Sequence, residues 1–181
     1  MNGQPLAGAV PLVAPETRAD RLTALFEAHH ERLYRLARRL SPSGDDALDL
    51  VQETFLKAAR SIDRIPARLR SEEAWLVRVL VNIQRDHWRK ASVRKRFDTA
   101  NQPIEPGKGP EAELVARATV WRALDALTPR RRAVVVMHEL EGLSITAIAS
   151  LLGVTAITVR WHLSMGRRDL TRALTSLRRT P

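Results

Sequence analysis

Three groups of residues have types and spacings suited to chemistry on a polyanion. The first lies in residues 144–163. Ser144 can cap a short helix whose Ile145, Ile148, Ala149 and Leu152 face inwards. Gly153 suits a left-handed helix stop, Val154 fills the turn, and Thr155 caps a second helix that Val159 and Leu163 lock to the first. Two short helices crossing over a small-residue turn place the N-terminal half of the second in a DNA major groove. Ala149 lets the two approach. The base and phosphate readers are then Thr155, Ala156, Thr158, Arg160, Trp161 and Ser164, followed by Arg167 and Arg168. A plain helical hairpin with a basic face would not need the cap, glycine, turn valine and apolar spacing to agree.

The second group is the basic run 85–96, where Trp88 stands among Arg85, Arg89, Lys90, Arg94, Lys95 and Arg96. An indole beside guanidinium groups can stack on an unpaired base while the charges hold phosphates. A solvated basic face explains the run equally well. The third group is Asp49, Gln52 and Glu53, at i, i+3 and i+4 on one helical face. On their own they describe a solvated acidic patch.

No other residues assemble into a reactive site. There is no cysteine, which excludes disulfides, thiolate metal sites and cysteine nucleophiles. His29, His30, His87, His138 and His162 are spread over four helices without a repeated ligand spacing, so neither a metal centre nor a cofactor is expected. The pair Glu72-Glu73 falls at a helix start, where the helix dipole accounts for it. The chain lacks a glycine-rich phosphate loop, and no enzymatic activity is expected.

The elements that must hold these residues are all helical. A first helix is expected over residues 20–40, with Leu22, Leu25, Phe26, His29, Leu33, Leu36, Ala37 and Leu40 on one stripe. Ser41-Pro42-Ser43-Gly44 ends it, and Asp45-Asp46 begin a second that runs towards Ser61. After Ile65-Pro66, Ser71 is expected to cap a third, long helix carrying Trp75, Leu76, Val79, Leu80 and Ile83, with Trp75 in the core. Residues 98–112 contain Asn101-Gln102-Pro103, Pro106-Gly107 and Gly109-Pro110 and have no apolar period, so they are expected to be a flexible linker. A fourth helix is expected over roughly Glu111 to Leu127. Thr128 as cap and Pro129 at the first helical position open a fifth, valine-rich helix ending at Gly142.

Charge divides along the same boundaries. Residues 1–19 are neutral, 20–97 carry +6, 98–115 carry −3 and 116–181 carry +7. Two basic bodies joined by an acidic tether suit a long anionic partner, although charge alone does not separate DNA from RNA or an anionic membrane. No apolar stretch approaches the roughly 20 residues of a membrane span. The apolar residues 6–14 have no basic residue before them and contain Pro11, so a signal peptide is not expected.

The order of motifs carries a resemblance. Residues 47–55, Ala-Leu-Asp-Leu-Val-Gln-Glu-Thr-Phe, resemble region 2.2 of bacterial sigma-70 factors. Residues 74–78, Ala-Trp-Leu-Val-Arg, with Asn82, Asp86 and Arg89 resemble regions 2.3 and 2.4. Leu127-Thr128-Pro129-Arg130-Arg131-Arg132 together with residues 144–163 resemble region 4. The spacing is similar to that of the extracytoplasmic-function (group 4) class, over about residues 20–178. Departures are Ala147, where glutamate is frequent, Ile157, where a small residue is usual, and Trp161, His162, Met165 and Gly166 after the Thr158-Val159-Arg160 match.

The resemblance implies an all-α chain of two small domains. Residues 1–19 would be a disordered tail, 20–97 a region 2 domain, 98–112 the flexible linker and 113–181 a region 4 domain. It implies an alternative sigma factor in the cytoplasm, without catalytic activity of its own. Asp49, Gln52 and Glu53 would dock on the β′ clamp helices of core RNA polymerase. Asn82, Arg85, Trp88, Arg89 and Lys90 would recognise and melt the −10 element, with a structural hydrogen bond as an equal role for Asn82. The helix after Thr155 would read the −35 element of promoter DNA while its domain packs on the β flap. An anti-sigma factor is the implied regulator, and no membrane insertion is expected. Two rivals remain open: a dimeric helix-turn-helix regulator working without polymerase, which leaves the Asp49 to Glu53 motif unexplained, and an RNA-binding or structural helical protein, which predicts little sequence preference.

Overall fold

A computed structural model describes residues 17–97 and 111–179, and the described residues form helices and turns only. Helix α1 spans Arg18–Leu40, α2 Gly44–Arg60 and α3 Leu69–Phe97. After the undescribed linker come α4, Glu111–Asp125, and α5, Pro129–Val135. A wider π-helical turn, Val136–Leu140, continues α5. Helices α6, Ile145–Leu152, and α7, Ala156–Arg179, complete the chain. No single described helix is long and apolar enough to cross a membrane.

Local chemistry sets most of these boundaries, and it corrects three of the expected ones. Helix α1 begins two residues before Asp20, because Thr17 and Asp20 form a reciprocal capping box. Arg18 and Ala19 are therefore helical; residues 1–16 of the expected tail lie outside the described residues, as do 98–110 of the expected linker, while Glu111 and Ala112 already belong to α4. Ser71 is not a cap. Helix α3 opens at Leu69, and the Ser71 amide already donates to the Arg68 carbonyl at 2.8 Å. At α5 the expected boundary stands, with Thr128 in the cap position and Pro129 at the first helical one, although the Thr128 hydroxyl makes no cap bond.

Helices α1, α2 and α3 pack as one bundle, and α7 gathers α4, α5 and α6 into a second. Leu33, Leu40, Leu76, Leu80 and Ile83 are essentially sealed in the first; Leu127, Val134, Val136, Met137 and Ile148 in the second. Each such side chain contributes about 2 kcal/mol relative to exposure. Phe26, expected inward, is 44 % exposed and leans on Phe55 at 4.9 Å between ring centroids. His29 is buried as expected, facing Glu72 at 3.4 Å. Glu73 meets Arg32 at 3.2 Å. The pair Glu72-Glu73 thus ties α3 to α1, a role that the helix dipole does not cover.

The two bundles share one apolar core, with α3 packed on both α5 and α6. At the edge of this interface the Glu141 carboxylate, only 5 % exposed, accepts from Arg32 and Arg39, and Arg39 also reaches the Leu140 carbonyl. Burial lowers the Arg32 pKa, but its bonds to Glu141 and Glu73 outweigh that and hold it above the ordinary value.

Candidate nucleic-acid interface

The helix pair α6–α7 is built from local signals. The Ser144 hydroxyl accepts from the Ala147 amide at 3.1 Å and starts α6. Gly153 ends it at φ +65°, a left-handed conformation that glycine adopts without a Cβ penalty. The Thr155 hydroxyl then accepts from the Thr158 amide at 3.1 Å and starts α7. Ile148, Ala149, Val159 and Leu163 are buried between the helices.

That packing sorts the expected DNA-facing residues. Arg160, Trp161, Ser164, Arg167 and Arg168 are exposed along α7. Ala156 and Thr158 are half-buried, and both threonine hydroxyls are engaged with each other at 2.9 Å across the cap. Arg167 is committed to Glu139 at 2.6–2.8 Å, so part of its charge is already neutralised. Arg160, Ser164, Arg167 and Arg168 join Ile145 and Leu163 around an open depression of about 400 Å³.

Two departures in this helix have structural causes. A Cβ built on Gly166 would lie 2.6 Å from Val135 Cγ2, so α7 crosses α5 at a distance that only glycine permits. Trp161 lies under Arg131, whose guanidinium carbon is 5.5 Å from the ring centroid, and touches the His162 ring edge-on at 4.9 Å. Of the three arginines after Pro129, Arg132 is no surface contact. It is buried, bonded to Asp125 at 2.9 Å and stacked over Trp121, and burial pushes its pKa down while Asp125 partly offsets that.

Along α3 the second group is divided. Asn82 is exposed and shares a small cavity of about 70 Å³ with Arg78, Val81, Arg130, Val134, Leu152, Val154 and His162. It therefore faces the second bundle. Arg85 meets Asp86 at 3.3 Å, and Arg89 and Lys90 are exposed one turn further on. Trp88, 37 % exposed, leaves the helix roughly 120° round from Asn82, so the two do not share a face. The side chains of Arg94, Lys95 and Arg96 lie outside the described residues.

The acidic group on α2 is brought together. Asp49 and Gln52 are exposed, and Glu53, half-buried, faces the His87 ring at 3.1 Å. Leu56 is 57 % exposed one turn on from Gln52 and Glu53, and Leu48 is 42 % exposed beside Asp49. These leucines were not singled out as site residues; two large apolar side chains on the outward face of an amphipathic helix are the signal that marks them. Among the described residues no group of His, Asp and Glu could hold a metal ion.

Comparison with known proteins matches residues 25–94 to sigma-70 region 2 and residues 117–170 to sigma-70 region 4. The chain is 37 % identical over 153 residues to the ECF RNA polymerase sigma factor SigE of Mycolicibacterium smegmatis, covering 81 % of this chain but 58 % of that protein's length. It is 35 % identical over 168 residues to SigM of Mycobacterium tuberculosis, covering 90 % and 83 %. Among solved structures, the fold resembles the sigma factor RpoE of Bartonella quintana in complex with the anti-sigma factor NepR, at TM-score 0.58 and 24 % identity, over 87 % of this chain and 96 % of that one. It also resembles CnrH in complex with the cytosolic domain of CnrY, at TM-score 0.55 and 24 % identity, over 89 % and 91 %.

Proposed function

The chain belongs to the ECF RNA polymerase sigma factors of the sigma-70 family, and from that premise we propose that it binds core RNA polymerase and directs transcription to promoters of its own choice. The observation that carries the reading is the outward face of α7, held by Gly153 and Thr155 at a fixed crossing over α6 and lined by Arg160, Trp161, Ser164 and Arg168. That face suits the −35 element in a major groove. Arg85, Arg89 and Lys90 suit the phosphates of the −10 element, with Trp88 stacking on an unpaired base and Asn82 holding an extruded one. Asp49, Gln52 and Glu53 on α2, with Leu56 beside them, form the surface for the β′ clamp helices of polymerase, and the second bundle packs on the β flap. Bond making belongs to the polymerase; this chain supplies recognition. Its place of action is the cytoplasm, and an anti-sigma protein is the proposed regulator.

The reading requires a change of shape. The −10 and −35 elements are roughly 25 base pairs apart, about 85 Å along the duplex at about 3.4 Å per step. Domains of this size have radii of gyration of about 11 Å. Two bundles in contact do not span that distance, and Asn82 faces the second bundle. Binding of both elements therefore requires α3 to separate from α5 and α6.

Transcription reconstituted from core polymerase, this chain and a randomised promoter pool tests the function. RNA starting at a fixed distance from an enriched pair of elements is the expected result. Permanganate reactivity of −10 thymines should fall in Trp88→Ala, since a base–aromatic stack is typically worth about 1–3 kcal/mol, and in Asn82→Ala, which removes the amide proposed to hold an extruded base. Random starts with no enriched element would overturn the assignment.

A further inference from the structure

The N-terminal part of α7 shows apolar side chains outward where charge and hydrogen-bonding groups would be the ordinary means of reading DNA. Counting from Ile157, steps of four, seven and eleven residues reach Trp161, Ser164 and Arg168, and all four are exposed. At about 100° per residue they lie within roughly 60° of one another, on the side opposite Val159 and Gly166, which are buried. Ile157 is 75 % exposed and Trp161 53 %. The N-terminal half of the outward stripe is thus two large apolar side chains one helical turn apart.

The indole is held in place. Arg131 from α5 covers part of its ring, the same guanidinium is tied to Asp169 at 2.5 Å, and the His162 ring abuts it. The contacts leave about half of the indole open. Arg160 flanks the apolar pair and Arg168 continues its stripe two turns on, both exposed. Positive charge beside the pair selects an anionic partner, and the apolar pair must then meet an apolar group within it. In a B-form major groove that group is the 5-methyl of thymine.

We propose that Ile157 and Trp161 are specificity-determining residues that recognise thymine 5-methyl groups in the upstream promoter element. Each makes its discrimination by excluding water from a methyl group, where a hydrogen bond to a base edge would otherwise serve. The proposal rests on α7 entering the groove of the −35 element. It predicts a preference for thymine over cytosine at the contacted positions, on whichever strand presents the methyl to this helix.

The test uses the full chain bound to core polymerase and a duplex pool with a randomised upstream element. The enriched duplex is remade with deoxyuridine in place of each thymine singly, which removes the methyl and alters nothing else in the pairing. The unaltered chain should lose about fourfold in binding per contacted methyl, the equivalent of one buried methyl-sized group, at one or two positions. In Ile157→Ala or Trp161→Ala the uracil penalty at the matching position should shrink below about twofold, with Ile157→Val and Trp161→Phe between. A uracil-insensitive wild type overturns the proposal, and that result needs no variant to fold. An unchanged penalty in folded variants also overturns it. So does loss of core binding by the variants without DNA, which would assign the face to polymerase. If the pool yields no enriched upstream element, the functional reading fails at that earlier step.

Discussion

The guanidinium of Arg78, on α3, lies across Gly153, the glycine that ends α6. A Cβ built there would sit 2.8 Å from Arg78 Nη1 and 3.2 Å from its Cδ. The turn of the helix-turn-helix is thereby touched by the other bundle, and one glycine serves two ends: a left-handed backbone at φ +65° and room for a neighbour's side chain. Gly153→Ala should destabilise the chain by about 1 kcal/mol from the backbone alone, plus the cost of moving Arg78. Denaturant unfolding of Gly153→Ala, Arg78→Ala and the double variant separates the two. The double variant should recover the contact part only; simple additivity would mean that Arg78 does not constrain the turn.

Glu141 should govern how firmly the bundles stay together. Its buried carboxylate is the common acceptor for Arg32 and Arg39. Truncating one partner of a buried charge pair costs more than the pair contributes, because the other charge is left unpaired. Glu141→Lys adds like-charge repulsion. Small-angle scattering of Glu141→Lys should show a larger radius of gyration than wild type with helical circular dichroism unchanged. A compact variant would place the strength of the interface in the apolar contacts of α3 with α5 and α6.

What could be read in the sequence depended on the range of the interaction. Ser144, Gly153 and Thr155 fix α6 and α7 through partners within four residues, so the helix pair and its outward face were legible from spacing. The Asp49, Gln52 and Glu53 face was legible for the same reason. Glu141 was not, since its partners lie 109 and 102 residues away. Gly166 stood out only as an unusual residue, because its cause is a helix crossing at Val135. Phe26 has the spacing of a core residue, yet it stays exposed against Phe55. Arg130, Arg131 and Arg132 look equivalent in the sequence, but only the fold distinguishes a buried partner of Asp125 from the rest.

A pH dependence follows from His162. Burial pushes its pKa below the ordinary imidazole value, and Arg130 and Arg131 push it further. The cavity it lines also contains Arg78 and Arg130, with no carboxylate among the lining residues, and its Nδ1 has no partner. Because the folded state holds this proton less readily than the unfolded chain, its contribution to stability is complete above about pH 6.5, where an unfolded histidine is neutral. It is lost as the pH falls below that value. Unfolding midpoints between pH 7.5 and 5.5 should drop more in wild type than in His162→Gln. Parallel curves would assign the acid sensitivity to other histidines.

The α2 face should answer to both charge and apolar change. Asp49→Lys reverses an exposed charge, and Leu56→Asp removes an apolar contact from the same face. Each should lower the yield of core polymerase co-purified with the chain, with helical content intact. An effect of the charge change alone, suppressed by high salt, would mean long-range steering without a packed docking surface. Binding undiminished by both changes would remove this face from the polymerase interface.

The exposed arginines of α7 should divide base reading from phosphate anchoring. Arg160 stands one turn into the helix, where a bidentate contact to a guanine edge is within reach, and such a contact is worth roughly 1–3 kcal/mol of discrimination. Arg168 lies two turns further on, where, on the proposed placement of α7 in a major groove, phosphates are nearer. Arg167, held by Glu139 at 2.8 Å, has to give up that ion pair before it can serve DNA. Across a library of upstream elements, Arg160→Ala should flatten preference at one or two positions. Arg168→Ala should weaken every sequence alike and reduce the slope of log affinity against log salt by about 1. Glu139→Gln, which frees Arg167, should strengthen all sequences together and steepen that slope. These three variants have different signatures in the same binding matrix, so each role is tested separately. If Arg160→Ala and Arg168→Ala give matching profiles, α7 anchors DNA through charge, and its sequence choice rests with Ile157 and Trp161.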